Sequence, residues 1–308
     1  MATILGADTS EICPQINISS ALTKILYSLP KPVSKNVILL SAQDFPTIGF
    51  VFEQAKRMGY QLRFVENAPK KIENWVAAID DDVAVVHATH ALSNTSHLLP
   101  IKQICALAKT YGAVSIIDVA QSTGIVPIDV KAWGCDFAIG TGVKFLCFGP
   151  GACFLYASQA SLKDCEPIDV GWFSHENPFE MDIHHFKYAQ DAMRFFGGTP
   201  SPAPFIMANS ALSLWEDIGF QAVHVTLQSH LDRVVEHIPE DLLVSPRSAT
   251  QRGGTVVINP QDRTRLRNSF AQHDIFYDER KEGFRCSVHG YTSEEDIERL
   301  ITLLKAAL

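Results

Sequence analysis

Ile117-Asp118-Val119-Ala120-Gln121-Ser122-Thr123-Gly124, followed by Gly140-Thr141-Gly142-Val143-Lys144 and then Gly149-Pro150-Gly151, is the stretch on which the fold of this 308-residue chain turns. Residues 114–117 and 137–139 are short β-rich runs, the pattern of strands covered on both faces. Asp118 closes the first run, and Lys144 follows the second after a pair of glycines. In an open α/β sheet the carboxyl ends of the strands border the crevice where ligands bind. An acid and an amine 26 residues apart therefore face one place.

The same alternation extends outward. Residues 37–40, 83–86 and 152–156 read as further buried strands. Ile101, Ile104, Cys105 and Ala108 share one helical face between Pro100 and Gly112, and a second helix spans about 47–58 and closes at Gly59. Strands alternating with helices predict an α/β protein with a mostly parallel, mixed sheet and helices on both faces. After Gly197-Gly198-Thr199-Pro200-Ser201-Pro202 the pattern changes to helices over 205–218 and 222–238, strands at 255–258 and 284–288, and a helix from about Ser293. The expected division is a large unit over 1–200, then a connecting helix and a small C-terminal α+β unit over 201–308.

Composition narrows the function. With 46% hydrophobic and 19% charged residues the chain can bury a sizeable core, and its net charge of −8 disfavours nucleic acid or an anionic membrane surface as the main partner. No leader pattern and no apolar run of about 18 residues occurs. Seven cysteines, an odd number without a C-x-x-C pair, fit reduced thiols and a cytoplasmic protein. A small molecule is the expected ligand.

A lysine after a strand is more often a solvated surface residue, but Lys144 sits among glycines and apolar residues. Burial disfavours the ammonium, and a neutral amine can form a Schiff base with an aldehyde. Asp118 supplies what pyridoxal 5'-phosphate needs from its protein, a carboxylate for the pyridine nitrogen. The two residues make chemical sense together.

These motifs resemble fold type I pyridoxal-phosphate enzymes of the class V aminotransferase group, within it the kynureninase-like branch. The resemblance is carried by D-x-A-Q-S-x-G-x-x-P-I-D-V over 118–130 and by Trp133-Gly134-Cys135-Asp136-Phe137. It continues through Lys144 with its Gly-Pro-Gly sequel, Gly171-Trp172-Phe173-Ser174-His175, Arg194-Phe195 and Gly198-Thr199-Pro200. It implies Lys144 as the Schiff-base lysine, Asp118 as the ring-nitrogen partner, Phe45 as the aromatic stacked on the ring, and Gln121 and His90 near the cofactor's 3-hydroxyl side. Ser19 and Ser20, ahead of the helical face Leu22, Ile25, Leu26 and Leu29, would offer hydroxyls and free N–H groups to the phosphate, although ordinary helix capping explains them equally well. Trp172 and Thr199 resemble further phosphate contacts, the threonine coming from a neighbouring subunit, which implies a homodimer with shared active sites. Arg285 matches the arginine that grips the substrate α-carboxylate, a task suited to a guanidinium fork.

The implied activity is that of an enzyme acting on an α-amino acid through an external aldimine, transaminase-like first. Kynureninase-like hydrolysis or a C–C or C–S β-lyase activity comes second, and a catalytically silent cofactor-binding partner subunit is the reading from another class. Departures motivate the alternatives. Val143, Gln121 and Ile48 stand where kynureninases usually carry tyrosine, histidine and aspartate, and only about 18 residues precede Ser19. The loop 277–283 contains no cysteine, which speaks against persulfide chemistry. A metal at His87, His90 and His97 is not expected, because no cysteine or acid accompanies them at suitable spacing. His175, His184 and His185 read as surface or packing residues.

Overall fold

The structure, a computed structural model, describes residues 1–30 and 34–308. Among the described residues ten strands form two sheets: β1 (Ile12–Gln15), β2 (Val37–Ser41), β3 (Gln61–Val65), β4 (Val83–Thr89), β5 (Val114–Asp118), β6 (Phe137–Thr141), β7 (Cys153–Ala157), β8 (Thr255–Ile258), β9 (Asp278–Arg280) and β10 (Gly283–Ser287). The larger sheet runs β1-β7-β6-β5-β4-β2-β3. The run from the β3 edge to β6 is parallel, whereas β7 is antiparallel to both β6 and β1. The mixed sheet expected from the sequence is therefore present, with two strands it did not reveal, β1 and β3, at the edges.

Strands β2, β4, β6 and β7 are buried at every position, which is why they read as unbroken apolar runs. Helices Ile18–Ser28 and Pro46–Ala55 cover one face through Leu22, Ile25, Leu26, Ile48 and Phe52. Helices Ile72–Ala78 and Ile101–Thr110 cover the other through Trp75, Ile101 and Ile104. The chain goes outward from β2 to β3, then returns past β2 to place β4, β5 and β6 on the opposite side. The reversal between β2 and β4 opens a crevice at their carboxyl ends.

The smaller sheet, β8-β10-β9, is antiparallel. Helices Phe220–Glu236 and Glu294–Ala307 pack on it in a core that also takes in Phe145, Leu146 and Phe148. The segment after β6 is thus held by the smaller sheet's core as well as by its own strand. Ser293 caps the last helix with a reciprocal Ser293–Asp296 pair, as an S-x-x-D start requires. Among the described residues no helix is long and apolar enough to cross a membrane.

Candidate active site

Asp118 ends β5 on the face shared with Phe52 and the two helices above it, since Ile116 two residues earlier lies in that core. It is buried, and its carboxylate accepts the Ala120 N–H at 2.8 Å. Burial raises its proton affinity, with nearby Asp44 adding to the effect, while the Ala120 N–H, His87 and Lys144 oppose it. Lys144 stands beyond β6, and burial lowers its proton affinity. Asp118 opposes that shift, and Arg285 and Arg280 reinforce it. A desolvated amine thus sits within electrostatic reach of a desolvated carboxyl.

Phe45 is the residue before helix Pro46–Ala55, and it remains 41% exposed although it borders the crevice. Lys144 Nζ lies 5.8 Å from its ring centroid and the Arg280 guanidinium carbon 5.9 Å. An aromatic with an uncovered face between two cationic groups can receive a flat ring. Directly behind it, Asp44 is fixed by three donors: the Ser41 N–H at 3.2 Å, His87 Nδ1 at 2.9 Å and the Thr89 hydroxyl at 2.7 Å. His87 is fully buried with its ring edge-on to Phe52, and its Nε2 has no hydrogen-bond partner.

Arg285 lies on β10 opposite Val257 and Asp278. Its Nη1 donates to Asp278 Oδ2 at 2.5 Å, and its buried Nε has no partner. Burial, helped by Arg280, disfavours its charge, and Asp278 partly restores it. Arg280 Nε shares the same Asp278 oxygen at 2.9 Å, and its Nη1 donates to Asn94 Oδ1 and Ser93 Oγ at 2.6 and 3.0 Å. A guanidinium with an unused donor in a partly dry wall is suited to an incoming carboxylate.

The remaining expected residues are distributed around this cluster. Gln121 is half-buried in the turn after β5. Ser19 and Ser20 do not cap their helix, because Asn17 does, accepting the Ser20 N–H and the Ser19 hydroxyl at 2.8 Å each. They line a depression of about 410 Å³ with Lys24 and Asp169. Trp172 Nε1 donates to the Thr199 hydroxyl at 3.3 Å, so these two meet each other. His90 brings its main chain, not its ring, to Asp118: its N–H donates to the Asp118 carbonyl at 2.8 Å, while the ring packs edge-on against Trp133 on the other face. The three histidines 87, 90 and 97 diverge, with His97 Nε2 2.7 Å from Lys70 Nζ. His175 is held between Glu180 and the main chain of Lys187.

The sequence has its counterpart in known proteins, because the family model Aminotransferase class-V matches residues 1–300. The chain belongs to the class-V aminotransferase family. Among class-V relatives, a kynureninase of Deinococcus radiodurans is 32% identical over 263 residues, covering 83% of this chain and 63% of that protein. A kynureninase of Pseudomonas fluorescens is 29% identical over 272 residues, covering 83% and 64%. The chain therefore spans just under two thirds of the length of the kynureninases it matches. The solved apo cysteine desulfurase of Thermococcus onnurineus shares the fold with a TM-score of 0.86 at 20% identity, over 99% of this chain and 81% of that one. The class-V architecture is fold type I, as the motifs implied.

Sequence reasoning did not single out Asp44, Thr89 or Arg280 for the class-V site, and it weighed His87 only as a metal ligand. The available signal was strand alternation: 87 and 89 lie on one face and 90 on the other, while 278, 280 and 285 fall on paired strands. Pairing of separate strands was the missing information.

Proposed function

We propose that this chain is the cofactor-binding and amino-acid-binding body of a pyridoxal-phosphate enzyme with transaminase-like chemistry on an α-amino acid. One observation carries this: a desolvated lysine, a buried carboxyl and an open aromatic face converge beside an arginine with an unpaired donor. These residues fit the group. Lys144 would hold its aldehyde, Asp118 its ring nitrogen, Phe45 its ring, Gln121 its hydroxyl side, and Ser19, Ser20, Trp172 and Thr199 its phosphate. His90 enters this arrangement only through its main chain.

Pyridoxal phosphate, when bound, supplies an electron-withdrawing ring that makes the bonds at an amino acid's α-carbon easier to break. The chain's own residues do the rest. Arg285 holds the substrate carboxylate and so decides which α-carbon bond faces the crevice. The lowered proton affinity of Lys144 leaves more of its nitrogen unprotonated and so available near neutral pH, where it can remove and return the α-proton. Asp118, dry and facing His87 and Lys144, fixes the charge available at the floor.

Kynureninase-like C–C hydrolysis is the second reading, favoured by the identity to two kynureninases. Val143 in place of the usual tyrosine weighs against it. Persulfide chemistry finds less support, because burial pushes the Cys286 thiol up to about 12 and no cysteine lies in 277–283. We also place the protein in the reducing cytoplasm, in keeping with seven free thiols, six of them buried. Its assembly would be a homodimer in which Thr199 reaches the neighbour's site. The exposed apolar side chains Ile168, Phe179, Met181 and Ile183 beside Trp172 and Thr199 support that.

The test is uptake of pyridoxal phosphate, borohydride reduction, and mass spectrometry of the peptide containing residue 144. The expected result is a visible band at about 410–430 nm that disappears on reduction, with the label on Lys144. A protein that takes up no cofactor, or is labelled elsewhere, refutes the assignment. A band that responds to no amino acid in a panel favours the silent partner subunit instead.

A further inference from the structure

We propose that His289 is a positioning residue for Lys144, one ring that locks the lysine's main chain to the end of the strand carrying Arg285. Lys144 belongs to neither a helix nor a strand, and its segment is closed on itself by the Phe148 N–H to Gly142 carbonyl bond at 2.9 Å. The Lys144 carbonyl accepts only a long bond from the Cys147 N–H, at 3.4 Å, from within that segment. Its strong partner comes from the segment just after β10: His289 Nε2 lies 2.8 Å away.

The direction of that bond follows from the other nitrogen. His289 Nδ1 accepts the Gly290 N–H at 3.1 Å, so in the neutral ring the hydrogen is on Nε2, which donates to Lys144. The ring is further held by stacking on Tyr291, with centroids 4.3 Å apart and planes at 16°, and on Phe145 at 5.8 Å and 27°. The His289 N–H donates to the Thr292 hydroxyl at 2.8 Å, and Thr292 N–H returns a bond to the His289 carbonyl at 2.9 Å. Burial keeps the ring's proton affinity below the ordinary histidine value, which preserves the one-hydrogen form that both bonds need. The titratable side chains against the ring are Tyr291, stacked on it, and Cys147, whose Sγ is 3.6 Å from Nδ1.

His289 follows Arg285 by four residues. Alongside the packing of Phe145, Leu146 and Phe148 in the smaller sheet's core, this ring ties the main chain of the proposed cofactor lysine to the segment that follows the proposed substrate arginine. Placement errors of this kind weaken binding and turnover together.

This role rests on the cofactor reading above, so the test has one arm that needs no cofactor. Amide hydrogen exchange of residues 143–148 is followed in the unloaded protein, and the dissociation constant for pyridoxal phosphate is read from the visible band, for the wild type, His289→Leu and His289→Gln. Loss of one such hydrogen bond is expected to speed exchange across 143–148 about fivefold in His289→Leu, with residues 137–141 unchanged, and to weaken cofactor binding by a similar factor. His289→Gln, whose amide can donate at similar reach, is expected to stay within about twofold of the wild type. Unchanged exchange in His289→Leu overturns the proposal, as does a His289→Gln protein no better than His289→Leu. If exchange responds as expected but the wild type binds no pyridoxal phosphate, the cofactor reading falls and the clamp on the 144 segment stands.

Discussion

Replacing Asp44 by alanine tests whether the floor behind Phe45 is a built support. The carboxylate takes donors from Ser41, His87 and Thr89 at 3.2, 2.9 and 2.7 Å in a buried place. Truncation strands three polar groups. A hydrogen bond to a charged acceptor contributes about 1.5–3 kcal/mol, but removing the acid also relieves the cost of burying it, so the sum is an overestimate. A net loss of about 3 kcal/mol is expected. At about 2.1 cal/mol/K per residue, a 308-residue chain unfolds with an entropy of about 0.65 kcal/mol/K, so the midpoint falls by about 5 °C. Scanning calorimetry of the unloaded protein measures this directly. Asp44→Asn keeps an oxygen for Thr89 and presents a donor to a ring that can change tautomer, so it is expected to lose less than half as much. An alanine variant melting within 1 °C of the wild type, or an asparagine variant as weak as alanine, refutes the support.

Arg285→Lys keeps the charge but loses the fork, so the KM for the amino-acid substrate rises about 100-fold while cofactor uptake is unchanged; a changed visible band with unchanged KM would place this side chain elsewhere. His90 is buried, and its pKa is lowered to about 4 by burial, against 6.5 in the unfolded chain. The neutral ring's contribution is therefore complete above pH 6.5 and is lost as pH falls toward 4, about 3 kcal/mol in all. His90→Phe should flatten that part of the stability profile in urea titrations at stepped pH, and a profile of unchanged slope would count against it. Mixing Lys144→Ala with Thr199→Ala protein, unfolded and refolded together, should recover about a quarter of wild-type activity if Thr199 serves the neighbouring subunit's site; recovery no greater than the sum of the two variants alone argues for a site closed within one chain.

What could be read from the sequence follows a physical division. Asp118 and Lys144 were legible because one ends a largely buried strand and the other follows a fully buried one by three residues, and an ionisable group in such a place has few structural uses. Strand β1 escaped notice because Ile12-Cys13-Pro14-Gln15 is short and holds a proline, which an edge strand tolerates and a central one does not. Strand β3 is another edge, with exposed positions that break the apolar run. Of the two readings of Ser19 and Ser20, capping falls away, since Asn17 two residues earlier takes that role with the same kind of oxygen. The support behind Phe45 could not be read at all: Asp44 and His87 are 43 residues apart, and only the pairing of β2 with β4 puts them in contact. The bond from His289 to Lys144 spans 145 residues and two sheets. The groups named by their own surroundings are those proposed to touch cofactor and substrate, whereas the groups that would aim them are defined by strand neighbours. The variants that discriminate between transaminase-like and kynureninase-like chemistry should therefore be sought among the second kind. Both reactions would begin with loss of the same α-proton and part only at the next step, so what would separate them is where that proton is returned, which the residues that aim Lys144 and Arg285 would control.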